Sequence, residues 1–341
     1  MNGELKRLVE EDGVSGVTSN PTIFEKAINS SNDYDDVLSN LLEAVPNADT
    51  KTIFEQLAIE DIRMAADILG PVFEKTGGID GYVSMEVSPH LAHDTEQTIS
   101  DAERLWKAID RPNLMIKVPA TPEGIPAVEA LISEGININA TLMFSLVHYN
   151  AVSEAYISGL ERCSDPSRVA SVASFFVSRV DTAVDSELEH LGTDRAMALR
   201  GKIAIANSKI TYQRFHEVFS GKLFSDLQQQ GARLQRVLWG STGTKNPAYS
   251  DVYYVEELMG PDTVNTVPPA TMDAFRDHGH AKDTLDKGLE EAEESIQELQ
   301  ELGIDLDVVT DKLQVQGVAS FAESYDQLMA SLEEKCRMIR K

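Results

Sequence analysis

Short apolar runs alternate with longer amphipathic stretches along this chain. The runs at 14–20, 81–88, 114–120, 136–144, 169–176, 234–241 and, more weakly, 263–268 have the length and composition of strands. The stretches at 50–69, 95–109, 146–162 and 195–219 carry apolar residues at helical spacing. This alternation predicts βαβ units and a parallel sheet, and so many units favour an α/β (β/α)8 TIM barrel over an open sheet. No strand runs into a G-x-G-x-x-G turn or a P-loop, which disfavours a doubly wound nucleotide-binding fold. Such a barrel needs one strand more than the pattern supplies. Residues 1–11 read as a helix with Leu5, Leu8 and Val9 on one face, so the first strand is missing. The chain from about 281 to 341 reads as helical and acidic, with Glu290, Glu291, Glu293 and Glu294 as a solvated face. Leu313, Val315, Val318, Phe321, Tyr325, Leu328 and Leu332 then predict a last helix packed on the barrel wall. No linker, repeat or low-complexity segment divides the chain, so 1–341 reads as one barrel domain with a helical C-terminal segment.

Composition narrows the partners. A chain of 341 residues with 42% hydrophobic and 25% charged residues has the make-up of a soluble globular protein. A formal net charge of −26 argues against a nucleic-acid partner, because a phosphate backbone needs a basic face. An anionic ligand must then be met by local cations and backbone amides. Cys163 and Cys336 make neither a disulfide framework nor a metal cluster, as expected in a reducing compartment. No apolar run is long enough to span a bilayer, and the start is unlike a signal peptide. The expectation is a cytoplasmic protein with no membrane partner.

The candidate chemistry lies at successive strand ends, where barrels carry their functional groups. Lys117 sits in the middle of the apolar run Leu114-Met115-Ile116-Lys117-Val118-Pro119-Ala120. A buried lysine must be paired or neutral, and a neutral amine attacks a carbonyl to form a Schiff base. Glu86, on the preceding run, suits a proton shuttle; Thr141, on the following one, can hold a water. Thr18 and Asn20 share one strand face, and Asn20, Asn139 and Ser174 suit a polyhydroxylated ligand. Arg179 and Lys245 stand just past strand ends, where a phosphate fits. Each position also has an ordinary reading, such as a turn former, a helix cap or a salt-bridge partner. Their repetition at strand after strand favours a site. His278-Gly279-His280 reads as a loop without metal-ligand partners, and His90 and His93 as loop residues; no metal is expected.

The stretches Gly16-Val17-Thr18-Ser19-Asn20-Pro21-Thr22-Ile23-Phe24, Val83-Ser84-Met85-Glu86-Val87, Ile116-Lys117-Val118-Pro119-Ala120-Thr121 and Gly135-Ile136-Asn137-Ile138-Asn139-Ala140-Thr141-Leu142 resemble the transaldolase family. The runs Trp239-Gly240-Ser241-Thr242-Gly243-Thr244-Lys245-Asn246-Pro247 and Asp262-Thr263-Val264-Asn265-Thr266-Val267-Pro268 resemble its larger bacterial branch. The resemblance extends in order over nearly the whole chain. It implies a cofactor-free (β/α)8 barrel enzyme of the non-oxidative pentose phosphate pathway. Such an enzyme moves a dihydroxyacetone unit from sedoheptulose 7-phosphate to glyceraldehyde 3-phosphate, giving erythrose 4-phosphate and fructose 6-phosphate. It further implies Lys117 as the Schiff-base lysine, Glu86 as the acid/base and Thr141 as the holder of the catalytic water. Asn20, Asn139 and Ser174 match positions that hold the dihydroxyacetone unit, Phe176 a pocket wall, and Arg179 and Ser241 phosphate-binding positions.

Two departures stand out. Many members carry an arginine two residues after the position of Ser241; here it is Gly243, and Lys245 is expected to take that role. Members also begin with a strand bearing a proton-transferring aspartate, which this sequence does not show; Asp12 lies in a loop and does not replace it. A start assigned too late, or a truncated chain, is the expected reason rather than a natural seven-stranded enzyme. An open barrel exposes strand edges through which copies can associate as a homo-oligomer. Alternative readings are a simple fructose-6-phosphate-type Schiff-base aldolase and an inactive sugar-phosphate-binding barrel; the chain ends too soon to include a fused isomerase.

Overall fold

In a computed structural model of the chain, residues 3–30 and 33–340 are described. The strands are β1 (Gly16–Thr18), β2 (Tyr82–Glu86), β3 (Leu114–Pro119), β4 (Ile138–Met143), β5 (Ser171–Phe176), β6 (Arg236–Gly240) and β7 (Thr263–Asn265). Each lies inside the run predicted for it. Among the described residues no strand precedes β1; the first element is the helix Glu4–Glu11, with Leu5, Leu8 and Val9 half-buried. Met1 and Asn2, the start of the helix expected over 1–11, lie outside the described residues. No described helix is long and apolar enough to cross a membrane.

The chain forms two compact units, Met1–Val118 with Val318–Lys341, and Pro119–Gly317. In the first, β1 pairs with β2 and β2 with β3, both parallel. In the second, β4, β5, β6 and β7 pair in chain order, again parallel. Helices follow the strands throughout, which is a TIM-barrel-like α/β pattern. Parallel strands covered on both faces read as near-continuous apolar runs. Accordingly every residue of β2, β3 and β4 is buried.

The helices predicted at 95–109 and 146–162 are found as Thr95–Ile109 and Leu146–Arg162. Three others differ from expectation for physical reasons. The helix begun at Thr50 does not stop at 69 but runs through Pro71 to Lys75. Pro71 forfeits one backbone hydrogen bond, and the extra turn brings the Phe73 ring edge-on to Tyr82 of β2, 5.4 Å between centroids. The stretch 195–219 is two helices, Asp194–Leu199 and Ile203–Ser220. The break falls at Gly201, whose φ of +71° favours glycine and whose N–H donates to Asp185 Oδ1 at 2.9 Å. The last helix is Leu306–Ile339, and it buries Leu313, Val318, Phe321, Tyr325, Leu328 and Leu332. Val315 is 66% exposed. Two residues from Leu313, it points roughly opposite on a helix and cannot share that face. Nor is His278 a loop residue; it closes the helix Pro269–His278 and pairs with Asp251 at 2.8 Å. His90 lies in the short 3-10 turn Pro89–Leu91.

Candidate active site

In the first unit the site grows from strand register. Glu86 pairs with Lys117 across the parallel ladder of β2 and β3, and Thr18 pairs with Ser84 across β1 and β2. Paired residues in parallel strands point to the same face, so Thr18, Ser84, Glu86 and Lys117 form one polar face. Val17, Val83, Met85 and Ile116 point the other way. The Lys117 ammonium donates to Glu86 Oε2 and to the Ser19 carbonyl, both at 3.0 Å. Lys117 and Glu86 are 4% and 7% exposed, so little water reaches either. Burial pushes the Glu86 carboxyl above the usual range, and the adjacent Lys117 charge and hydrogen bond pull it partly back.

Two buried oxygens on this face, Glu86 Oε1 and Thr18 Oγ1, have no hydrogen-bond partner among the described residues. Buried polar atoms are normally satisfied, so such pairs of orphans point to a ligand or water. Glu86 also borders a cavity of about 30 Å³ with Ser19, Asn20, Ser88 and Asp101, room for a water molecule. Asn20 Oδ1 accepts the N–H of Ile23 at 2.9 Å and so caps the helix Pro21–Ser30. The ordinary reading of Asn20 as a cap is therefore present, and it fixes the side chain beside the cavity.

In the second unit, Ser174 Oγ donates to Asn139 Oδ1 at 2.6 Å, and both residues are buried. Asn139 pairs with Val172, two residues before Ser174, so the two side chains share a face. Thr141 is fully buried, and its hydroxyl has no partner among the described residues. The ladder slips between Ala140 and Met143, and Leu142 takes a φ of +61°, rare for a branched side chain. Such bulges re-aim neighbouring side chains and recur at active sites. Gln314, from the C-terminal helix, holds the bulge by donating to the carbonyls of Leu142 at 3.1 Å and Ala120 at 2.9 Å. His148 Nδ1 accepts the N–H of Phe144 at 3.3 Å, while its Nε2 meets Asp311 of that helix at 3.1 Å.

A cationic corner lies at the ends of β5 and β6. The Arg179 guanidinium stacks over the Phe176 ring, 5.6 Å from its centroid, and has no ion-pair partner among the described residues. Burial lowers the pKa of Arg179 from its ordinary value, yet a guanidinium keeps its charge in proteins. Ser241 adopts φ +54°, and its hydroxyl lies 3.0 Å from that of Ser178 in the first turn of the helix Ser178–Leu191. Unpaired cation, paired hydroxyls and helix N-terminus together suit an anion. Lys245 is exposed and lines a different cavity, of about 200 Å³, with Asp181, Asp185, Glu189 and Tyr249. At Gly243 a Cβ would come within 3.2 Å of Pro268 Cγ, so a larger residue there needs the loop to shift.

Sequence reasoning missed the Ser19 carbonyl, Ser178, Gln314 and Phe321. Phe321 was visible only as a core position of the last helix, yet its ring centroid lies 5.8 Å from Lys117 Nζ. Among the described residues no group of three or more His, Cys, Asp or Glu side chains is placed to hold a metal ion.

Comparison with known proteins gives the family. The sequence matches the transaldolase/fructose-6-phosphate aldolase family over residues 2–332. It is 48% identical over 335 residues to a protein named transaldolase from Thiobacillus denitrificans, covering 97% of this chain and 93% of that protein. A transaldolase from Thermobifida fusca is 47% identical over 333 residues, covering 96% and 90% of the two chains. One from Parafrankia is 46% identical over 338 residues, covering 98% and 91%. With a match this long, and with a buried lysine and glutamate paired in register, the chain belongs to the transaldolase/fructose-6-phosphate aldolase family.

Proposed function

We propose that this protein is a transaldolase that carries a dihydroxyacetone unit on Lys117. The observation that carries the reading is the buried Lys117–Glu86 contact at 3.0 Å, with the second carboxylate oxygen of Glu86 unpartnered. The Lys117 amine adds to the ketone carbon of sedoheptulose 7-phosphate. Loss of water from the carbinolamine, with Glu86 shuttling protons, gives the iminium. Cleavage beyond the third carbon releases erythrose 4-phosphate and leaves a three-carbon enamine on the lysine. The enamine adds to the aldehyde of glyceraldehyde 3-phosphate, and hydrolysis of the new iminium releases fructose 6-phosphate and the free amine.

Residue roles follow the family pattern. Thr141 holds the water, and its orphan hydroxyl supports that role. Thr18, Asn20, Asn139 and Ser174 bind the hydroxyls of the three-carbon unit, and Phe176 walls the pocket. Arg179 and Ser241 bind phosphate, which the unpaired cation and the part-buried Ser178–Ser241 hydroxyl pair support. Lys245 is assigned as the second phosphate cation in place of the arginine absent at Gly243. Its acidic neighbours weaken it in that role. The protein works in the cytoplasm without a cofactor, as one (β/α) barrel domain over 1–341 with a helical segment from about 281. A family match running through both units supports the single domain.

Incubation with fructose 6-phosphate and borohydride, followed by intact-mass measurement, tests the reading. A reduced three-carbon adduct on the wild type and none on Lys117→Ala is expected. Folded wild type without any adduct overturns the Schiff-base assignment. Release of product from donor alone, with no gain when an acceptor aldose is added, favours the simple aldolase.

A further inference from the structure

We propose that Phe321, on the C-terminal helix, is a positioning residue that keeps water from the Lys117–substrate bond and so favours transfer over hydrolysis. This inference rests on the Schiff-base reading above. The Lys117 ammonium is enclosed by the Ser19 carbonyl, Glu86 Oε2 and the Phe321 ring, whose centroid is 5.8 Å away. Phe321 is 4% exposed, so its ring is held in place. An aromatic face attracts a cation and offers water no strong hydrogen bond. The lysine nitrogen is cationic both as ammonium and as iminium, and the ring favours both.

The helix segment that carries Phe321 is fastened on either side of the strand ends. Thr22 Oγ1 donates to Ser324 Oγ at 2.8 Å, from the helix that follows β1. His90 Nε2 lies 2.8 Å from Asp326 Oδ1, in the turn that follows β2. Between them the Tyr325 ring meets Phe54 edge-on, 5.9 Å between centroids. All these contacts belong to one compact unit. The helix thus covers the end of the strands from which Glu86 projects.

Such a cover has a chemical use. After cleavage the lysine carries a three-carbon enamine that must wait for the acceptor aldehyde. If a proton reaches its carbon first, the enamine becomes an iminium; water then adds, free dihydroxyacetone leaves and the amine is restored. Limiting water at this bond slows the leak relative to carbon–carbon bond formation, which consumes no water; hydrolysis of the fructose 6-phosphate iminium follows once that bond has formed.

The test compares Phe321→Leu, which keeps apolar bulk but loses the ring, with Phe321→Trp, which keeps an aromatic face. The quantity read is dihydroxyacetone released per transfer event, with sedoheptulose 7-phosphate as donor and glyceraldehyde 3-phosphate as acceptor. F321L is expected to raise this ratio about tenfold, and F321W to stay near the wild type. A merely structural role lowers both rates together and leaves the ratio fixed, which overturns the inference. Borohydride trapping on the same samples separates the two claims. A wild-type adduct with an unchanged F321L ratio removes only the role of Phe321. No wild-type adduct removes the Schiff base, and this inference with it.

Discussion

Glu86 and Lys117 stand opposite each other in the β2–β3 ladder, and that register sets Oε2 at 3.0 Å from Nζ. Two flexible side chains on loops would lose rotamer freedom to find this geometry. On adjacent buried strands the backbone fixes their origins, and packing fixes the rest. The pair is thereby held in hydrogen-bonding geometry before any ligand arrives.

Glu86→Gln keeps the shape and an acceptor for Lys117 but cannot carry a proton. Its kcat is expected to fall about 10²–10⁴-fold, the range of a lost general acid–base group. Burial holds the Glu86 pKa above the ordinary carboxylate range, so activity is lost on acidification at a higher pH than an exposed glutamate would give. A kcat–pH profile checks this. The acidic limb should be absent in E86Q; an unchanged limb assigns it to another group.

Thr141→Val removes a buried hydroxyl that has no partner among the described residues. An unsatisfied buried polar group costs about 1–3 kcal/mol, so the thermal midpoint of the variant should stay level or rise. Activity should fall tenfold or more if the hydroxyl holds the water. Loss of both stability and activity would indicate instead that the hydroxyl is satisfied in the apo protein.

Arg179 and Lys245 make predictions of different size for phosphate. Arg179→Ala removes an unpaired guanidinium, and KM for phosphorylated substrates should rise about 10–100-fold with a smaller change in kcat. Lys245→Ala should raise KM by a smaller factor, because Lys245 is exposed and its cavity is lined by Asp181, Asp185 and Glu189. An unchanged KM in K245A removes Lys245 from the phosphate site. Initial-rate kinetics on the two variants decide it.

Asp181, in the unit Pro119–Gly317, gives a pH signature of its own. Burial pushes its carboxyl up to about 7, although the Ala204 N–H and the Tyr254 hydroxyl both donate to it. A carboxyl raised on folding favours the fold fully below its unfolded pKa, and this contribution is lost as pH rises towards 7. Asp181→Asn removes the ionisation. Its stability relative to wild type should therefore climb between pH 4 and 7, by up to about 4 kcal/mol, and level off above. Denaturant unfolding at pH 5 and pH 8 reads the difference; an equal offset at both contradicts it.

The parts legible in the sequence are those governed by local periodicity. The strands around Glu86, Lys117 and Thr141 are short apolar runs bounded by turn residues, and period-two alternation sets each polar group on one face of its own strand. The break at Gly201 was less visible, because the apolar spacing of 195–219 continues across it. What enforces it is tertiary: Asp185 accepts the Gly201 N–H, and a Cβ at Gly201 would sit 2.7 Å from the Tyr249 ring. The left-handed Leu142 and Ser241 carry no local signal either, since neither is glycine. Phe321 and Gln314 were lost in an ordinary amphipathic pattern. Their partners lie far off in the sequence, and no local rule distinguishes a helix face against a core from one against a buried lysine.

The Thr22–Ser324 hydrogen bond joins residues 302 apart in sequence. A chain made from its N-terminus reaches the end of the continuous unit Pro119–Gly317 while Val318–Lys341 is still to come. Closing so long a loop is a late, entropically uphill event compared with pairing neighbouring strands. During synthesis, therefore, Lys117 has its strand before it has its ring. The enclosure of the amine waits for a segment made after the whole of Pro119–Gly317, so nascent chains, and chains clipped before Phe321, carry this lysine without its cover.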